Sequence, residues 1–255
     1  LTKKDKYLVA LDVGSTKTCA LLSEVDDSGA AKFISMGAAE SKGLRKGLIA
    51  NLGATATSIR RAIEEAEGVA GVPVERAIVG VAGSHIRGVN SRGGITLGNR
   101  PRDIDREDIR RAVDAARNVT LPEDRLILHV LPQEFLVDSQ DNIRDPMSMV
   151  GQRLEVNVHV ITGAVTSAQN IIKCVNRAGL DVVDMVLQPL ASSEAVLSQE
   201  ERDLGVVMVD LGGGTTDLAI FLDGSIRHSA VLPIGGQNLT KDLAIGLLTS
   251  QTEAE

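Results

Sequence analysis

Cysteine is nearly missing from this chain. Cys19 and Cys174 are the only two in 255 residues, too few for a disulfide framework, and both fall in segments read as buried elements, so core thiols are expected. Long hydrophobic runs are missing too: no apolar stretch approaches the roughly 18 residues of a membrane-spanning helix. No signal peptide is visible, because Leu1 to Lys6 is polar and the short apolar stretch after it contains Asp12. There is no excess of positive charge. The net charge is −7 and the pI ≈ 5.2, which argues against broad binding to a phosphate backbone but leaves room for a local nucleotide pocket. His85, His129, His159 and His228 show no metal-ligand spacing. No Gly-x-Ser-x-Gly elbow or Cys–His pairing occurs either. The acid pairs Glu64-Glu65 and Glu200-Glu201 read as solvated helix faces.

What remains is a globular composition, 43% hydrophobic and 24% charged, long enough for a sizeable core in one or two domains. One stretch organises it. Val206 to Asp210 reads as an apolar strand, Leu211-Gly212-Gly213-Gly214-Thr215 as a turn, and Thr216 to Phe221 as a second strand. Glycines let a turn present backbone N–H groups to an anion, and the threonine hydroxyls add donors. Tyr7 to Thr18 repeats the grammar: apolar strand, Asp12, Gly14, the hydroxyl pair Ser15-Thr16, Lys17, then a strand from Cys19 to Leu22. The two aspartates are 198 residues apart. Two copies of this pattern predict two similar lobes facing one polyphosphate.

Between them, Ala31 to Ala39 is expected as a strand and Ser41 to Gly47 as a loop. Ile49 to Glu67 has helical spacing, with Gly68 as its stop, and Val74 to Val81 reads as a buried strand. From residue 84 the character shifts. A strand over Val89 to Leu97 precedes an amphipathic helix over Asp103 to Asn118, with Asp105 and Asp108 as its start signal. Two long strands follow, Arg125 to Val137 and Arg153 to Thr162, the second with Glu155, Asn157 and His159 alternating on a half-exposed face. Ala164 to Ala178 and Ala191 to Glu201 read as helices on either side of a strand over Leu180 to Leu187. Ile226 to Leu232 and Leu239 to Leu248 close the chain as strand and helix. The chain starts without methionine and stops in mid-pattern, so a piece of a longer protein is expected.

The two hairpins, Asp12-Val13-Gly14-Ser15-Thr16-Lys17 and Asp210 to Asp217, resemble the phosphate-binding hairpins of the actin-like ATPase superfamily. Within it, Asp145 to His159, Gly88 to Gly98 and Leu190 to Leu204 are similar to signatures of the FtsA family of bacterial cell-division proteins, and the likeness runs over essentially the whole chain. The resemblance implies an α/β, actin-like (ribonuclease-H-like) two-lobed fold. Residues 1–83 with 163–204 would form the first lobe, 84–162 an FtsA-type α+β insert, and 205–255 the start of an incomplete second lobe. It also implies ATP with Mg²⁺, head-to-tail self-polymers, contacts to other division proteins through the insert, and a role linking FtsZ to the cytoplasmic membrane at the division site. The resemblance implies a C-terminal membrane helix, which is expected beyond this chain. Ser148 stands where the family pattern is expected to have glycine. Other readings are an actin-like small-molecule kinase, for which no acidic base is evident, and a pilus-assembly actin-like ATPase.

On this reading the backbone N–H groups of Gly14, Ser15, Thr16, Gly213, Gly214 and Thr215 face phosphate, with Gly212 and Thr216 also counted as cofactor-binding. Lys17 is either a point charge on phosphate or a surface lysine. Asp12 and Asp210 hold Mg²⁺ through water, or serve as turn formers. Gln188, before Pro189, either orients the attacking water or merely starts a helix. Glutamine is a weak base, so at most a slow ATPase is expected. Gly235-Gly236 lets backbone approach the nucleotide, or forms an ordinary turn. Asp217 is expected to brace the hairpin.

Overall fold

The computed structural model describes residues 6–255; Leu1 to Asp5, part of the expected first lobe, lie outside the described residues. Strands β1 (Tyr7–Val13) and β2 (Lys17–Val25) form the first hairpin in continuous antiparallel register, from Tyr7 opposite Glu24 to Val13 opposite Thr18. Asp12 is exposed while Leu11 and Val13 are buried, as the period of two dictates. The hairpin continues into β3 (Ala31–Glu40). The expected loop at 41–47 contributes to a small ladder, β4 (Leu44–Arg45) with β5 (Leu48–Ile49).

Helix α1 (Leu52–Ala70) starts on Asn51, whose side chain accepts from the Ala54 N–H, and ends on Gly71 at φ 70°. The expected stop at Gly68 is therefore three residues early. Gly71, in the left-handed conformation, donates to the Glu67 carbonyl and closes the helix. Strand β6 (Arg76–Val81) then pairs parallel with β1.

A second unit follows. Strand β7 (Arg87–Thr96) and β8 (Arg102–Asp103) lead into α2 (Arg106–Arg117), which opens with the expected Asp105–Asp108 capping box. Strands β9 (Arg125–Val137), β10 (Gln140–Ile143), β11 (Val150–Gly151) and β12 (Arg153–Ala164) complete it. Four of these strands form an antiparallel sheet in the order β10-β9-β12-β7. One face packs on α2 through Leu154, Val156, Val158 and Val160, with Ala112 and Ala116. The other face was expected to be half-exposed, but Glu155 and His159 are buried.

The chain returns to the first sheet through α3 (Val165–Ala178), capped by Gly179 at φ 103°, and β13 (Asp181–Leu187). That sheet has the order β13-β6-β1-β2-β3. Its core joins Val9, Leu11, Ala20, Leu22 and Val79 with α1 and α3 side chains such as Ile59, Ala62 and Ile171. The single helix expected over 191–201 is two, α4 (Gln188–Val196) and α5 (Gln199–Leu204), because Ser198 starts a new capping box with Glu201. A third sheet, β14 (Val206–Leu211), β15 (Thr216–Leu222) and β16 (Ser225–Leu232), is followed by α6 (Gly236–Gly246) and the single turn α7 (Gln251–Ala254). Cys19 and Cys174 are both free and buried, as expected.

Candidate nucleotide cleft

The β1–β2 turn and the β14–β15 turn meet across one cleft. Asp12 sits one residue from the end of β1, and Asp210 one residue from the end of β14. Both line a space of about 340 Å³ together with Leu21, Gly80, Gln188 and Ser192. The two carboxylates feel each other. Crowding by protein raises the Asp12 carboxyl above its ordinary pKa, the Asp210 charge raises it further, and Lys17 acts in the opposite direction. Two acids that repel across a cleft are a ready place for a cation.

Helix α4 holds both acids. Gln188, its first residue, donates from Nε2 to Asp12 Oδ1 at 2.6 Å. Ser192, one turn later, donates from Oγ to Asp210 Oδ2 at 3.1 Å. The i, i+4 spacing puts both donors on one face of the helix, and Pro189 fits the first turn, where no N–H partner is needed. Ser192 is the site residue that sequence reasoning left without a role here. Its signal was the one-turn offset from Gln188.

The loop tips are in contact. A Cβ on Gly213 would lie 2.4 Å from Thr16 Cγ2, and one on Gly214 2.6 Å from Ser15 Oγ. A side chain at either glycine would have to displace Thr16 or Ser15. The Gly14 N–H donates to the Lys17 carbonyl at 3.0 Å and the Gly212 N–H to the Thr215 carbonyl at 2.9 Å, so these two amides are spent inside their own turns. The Thr216 hydroxyl donates to the Ile234 carbonyl at 2.7 Å, and Ser15 Oγ accepts from the Gly47 N–H at 3.3 Å. The close approach at Gly235 is to protein: a Cβ there would lie 2.4 Å from the Gly212 carbonyl oxygen. Gly236 and Gln237 donate to the Gly212 and Gly213 carbonyls at 2.9 Å each. Among the residues read from the sequence as part of the nucleotide site, Gly14, Gly212, Thr216, Gly235 and Gly236 each use a polar group to brace the two turns.

Asp217 pairs across the ladder with Asp210 and is 3% exposed. Burial pushes its carboxyl up to about 6; the Thr215 hydroxyl works against this and the Asp210 charge adds to it. Its Oδ1 has no hydrogen-bond partner. Lys17 is exposed at the start of β2. Among the described residues no cluster of three or more His, Cys, Asp or Glu side chains forms a metal cage. Two carboxylates suit a hydrated Mg²⁺, which keeps several of its waters. Asp12 and Asp210, which face one cleft, are a donor set of the kind that ion takes, and the Lys17 charge is felt at Asp12.

A family model described as "SHS2 domain inserted in FTSA" matches residues 83–162, and one described as "Cell division protein FtsA" matches residues 207–255. Curated relatives named "Cell division protein FtsA" include those of Pseudomonas aeruginosa, 47% identical over 250 residues (98% of this chain, 60% of the relative), Bacillus subtilis, 42% over 251 residues (98% and 57%), and Escherichia coli K12, 36% over 250 residues (98% and 59%). The chain thus spans up to about 60% of the length of these relatives. Among solved structures it is similar to a "PilM-PilN type IV pilus biogenesis complex" chain, with a TM-score of 0.68 and 17% identity over 97% of this chain and 67% of that one. It is also similar to MreB5 of Spiroplasma citri bound to ADP, with a TM-score of 0.50 and 14% identity over 99% and 61%. At such identities these structures speak for the fold alone, which is actin-like.

Proposed function

Since the chain belongs to the FtsA family of cell-division proteins, we propose that it is the nucleotide-binding portion of an ATP-dependent, polymer-forming division scaffold. The observation that carries the reading is the pairing of Asp12 and Asp210 across one cleft, each held by a donor from α4. In this reading 1–83 with 163–204 form the first lobe, 84–162 the insert and 205–255 the beginning of the second lobe. Asp12 and Asp210 hold Mg²⁺ through water, and the ion offsets charge on the β- and γ-phosphates of ATP. Lys17 adds a point charge, and Ser15, Thr16, Gly213 and Gly214 offer backbone donors once the tips part. Gln188 is a positioning residue: its Nε2 is engaged on Asp12, leaving Oε1 to accept from a water. A side chain with no basic nitrogen or carboxylate abstracts protons poorly, which fits slow turnover at best.

Family membership extends the proposal to the parent protein: polymerisation with itself, contacts to other division proteins, and linkage of FtsZ to the inner face of the membrane. Among the described residues no helix is long and apolar enough to cross a membrane. The test is calorimetric titration with Mg²⁺·ATP. Asp210→Ala and Lys17→Ala are expected to weaken binding by about tenfold or more; affinities equal to the unaltered chain would remove the cleft from consideration. For the full-length parent, co-sedimentation with FtsZ in ATP is expected, and its failure would overturn the scaffold role.

A further inference from the structure

The two edges of the four-stranded sheet are built differently. The β10 edge is four residues long, shifts register between Gln140 and Ile143, and carries Asn142 at φ 57°. Such a short, irregular edge resists pairing with another strand. The β7 edge is the opposite. It pairs with β12 without a register shift from Thr96 opposite Arg153 to Arg87 opposite Thr162. It holds no proline and no lysine. Its far side has no partner strand among the described residues. Near Gly88 and Asn90 the third sheet covers it, through Ser229 and the Arg227 carbonyl. Residues 91–96 remain open among the described residues.

That open part carries a second feature. Arg92, Gly94 and Thr96 point to the sheet face away from α2, where they border a groove with Arg153 and Glu155. Glu155 is buried and clamps both guanidinium groups: Arg92 Nε donates to Oε2 at 2.7 Å, and Arg153 Nε pairs with Oε1. The arginines are 56% and 66% exposed. One buried carboxylate thus holds two arginines in place, leaves a net positive charge, and leaves Arg92 Nη1 and the Arg153 Nη groups to bond outward. Gly94 is required for this seat, because a Cβ there would lie 2.7 Å from Glu155 Cγ.

We propose that residues 91–96 of β7 form a docking edge for an extended acidic segment of a partner protein, which adds as a fifth strand and sets alternate carboxylates on Arg92 and Arg153. Main-chain pairing along the edge supplies affinity, and the arginines select the side chains on one face. Charge complementarity favours this occupant over a second copy of the chain, since pairing β7 with another β7 about a two-fold axis would put the arginine pairs of both copies on the same sheet face.

The test uses the full chain and a six-residue peptide of alternating glutamate and valine. Slowed amide exchange confined to residues 91–96 is expected, with affinity about tenfold above that of the matching lysine–valine peptide. Backbone N-methylation at alternate peptide residues should abolish the protection. The R92Q/R153Q/E155Q variant, which removes all three charges together and leaves no carboxylate unpaired, should erase the preference for the acidic peptide while keeping its fold. Equal binding of both peptides, undiminished binding of the N-methylated one, a preference retained by the variant, or protection that arises with a doubled mass would each overturn the proposal.

Discussion

His159 is 1% exposed and ties two sheets together. Asn90 Nδ2 donates to the Arg227 carbonyl at 3.2 Å, which turns Asn90 Oδ1 toward the ring. His159 Nδ1 therefore carries the hydrogen and donates to that oxygen at 2.6 Å, while Nε2 accepts from Ser229 Oγ at 2.9 Å. Burial, with a smaller contribution from His228, pushes the imidazole down to about 4. Below pH 6.5 an unfolded histidine binds a proton that the folded one refuses. Stability contributed by the neutral ring is thus complete above pH 6.5 and lost as pH falls toward 4, by up to about 3 kcal/mol. Urea midpoints should drop between pH 7 and pH 5, and the drop should shrink in His159→Gln. The alternation of β12 was legible in the sequence, but the burial of His159 was not. Its cover, Ser229, lies 70 residues away, and no local pattern carries that contact.

At the scale of elements, local chemistry was readable where it is self-contained. Asp105 and Asp108 announce α2 because both halves of the capping box lie within four residues. Asp108 is also gripped by Arg102, with Nη1 and Nη2 each donating at 2.7 Å. Asp105→Ala is expected to cost about 1 kcal/mol, read as a lowered urea midpoint with an unchanged slope. The end of α1 was misread for the converse reason. Gly68 and Gly71 look alike in sequence, and what selects Gly71 is the left-handed turn it makes before β6. Gly93 was equally silent: a Cβ there would lie 2.1 Å from the Ala116 backbone nitrogen. Gly93→Ala should push α2 off its sheet at a cost of about 2 kcal/mol or more, measurable by the same titration.

Across the whole molecule, stability is unevenly spread. Seventeen buried residues form the core of the first sheet and its helices, against three, Ala219, Phe221 and Ile226, in the core of the third sheet among the described residues. Val207, Val209 and Leu211 on β14, and Leu239 and Leu247 in and just past α6, are all more than half exposed. Native-state amide exchange is accordingly expected to be slowest in β1 and β6 and fastest in β14 and α6. A reversed order would contradict the packing. The matched Asp–Gly hairpins could be read from sequence because each is a contiguous string. That their tips touch, and that α4 supplies the donors to both acids, depends on how the strands between them cross over.

Strand β16 has one end in each of two neighbourhoods. Ser225 and Ile226 bond to Gln133 on β9, and Ser229 to His159 on β12. Past Leu232 the chain reaches Ile234, which accepts from Thr216, and Gly235, wedged against Gly212 and Gly213. A backbone so short and so well tethered behaves as a connecting rod. Prying the glycine turn outward is accordingly expected to strain the contacts of β16 with the far sheet, and tilting that sheet to strain the turn.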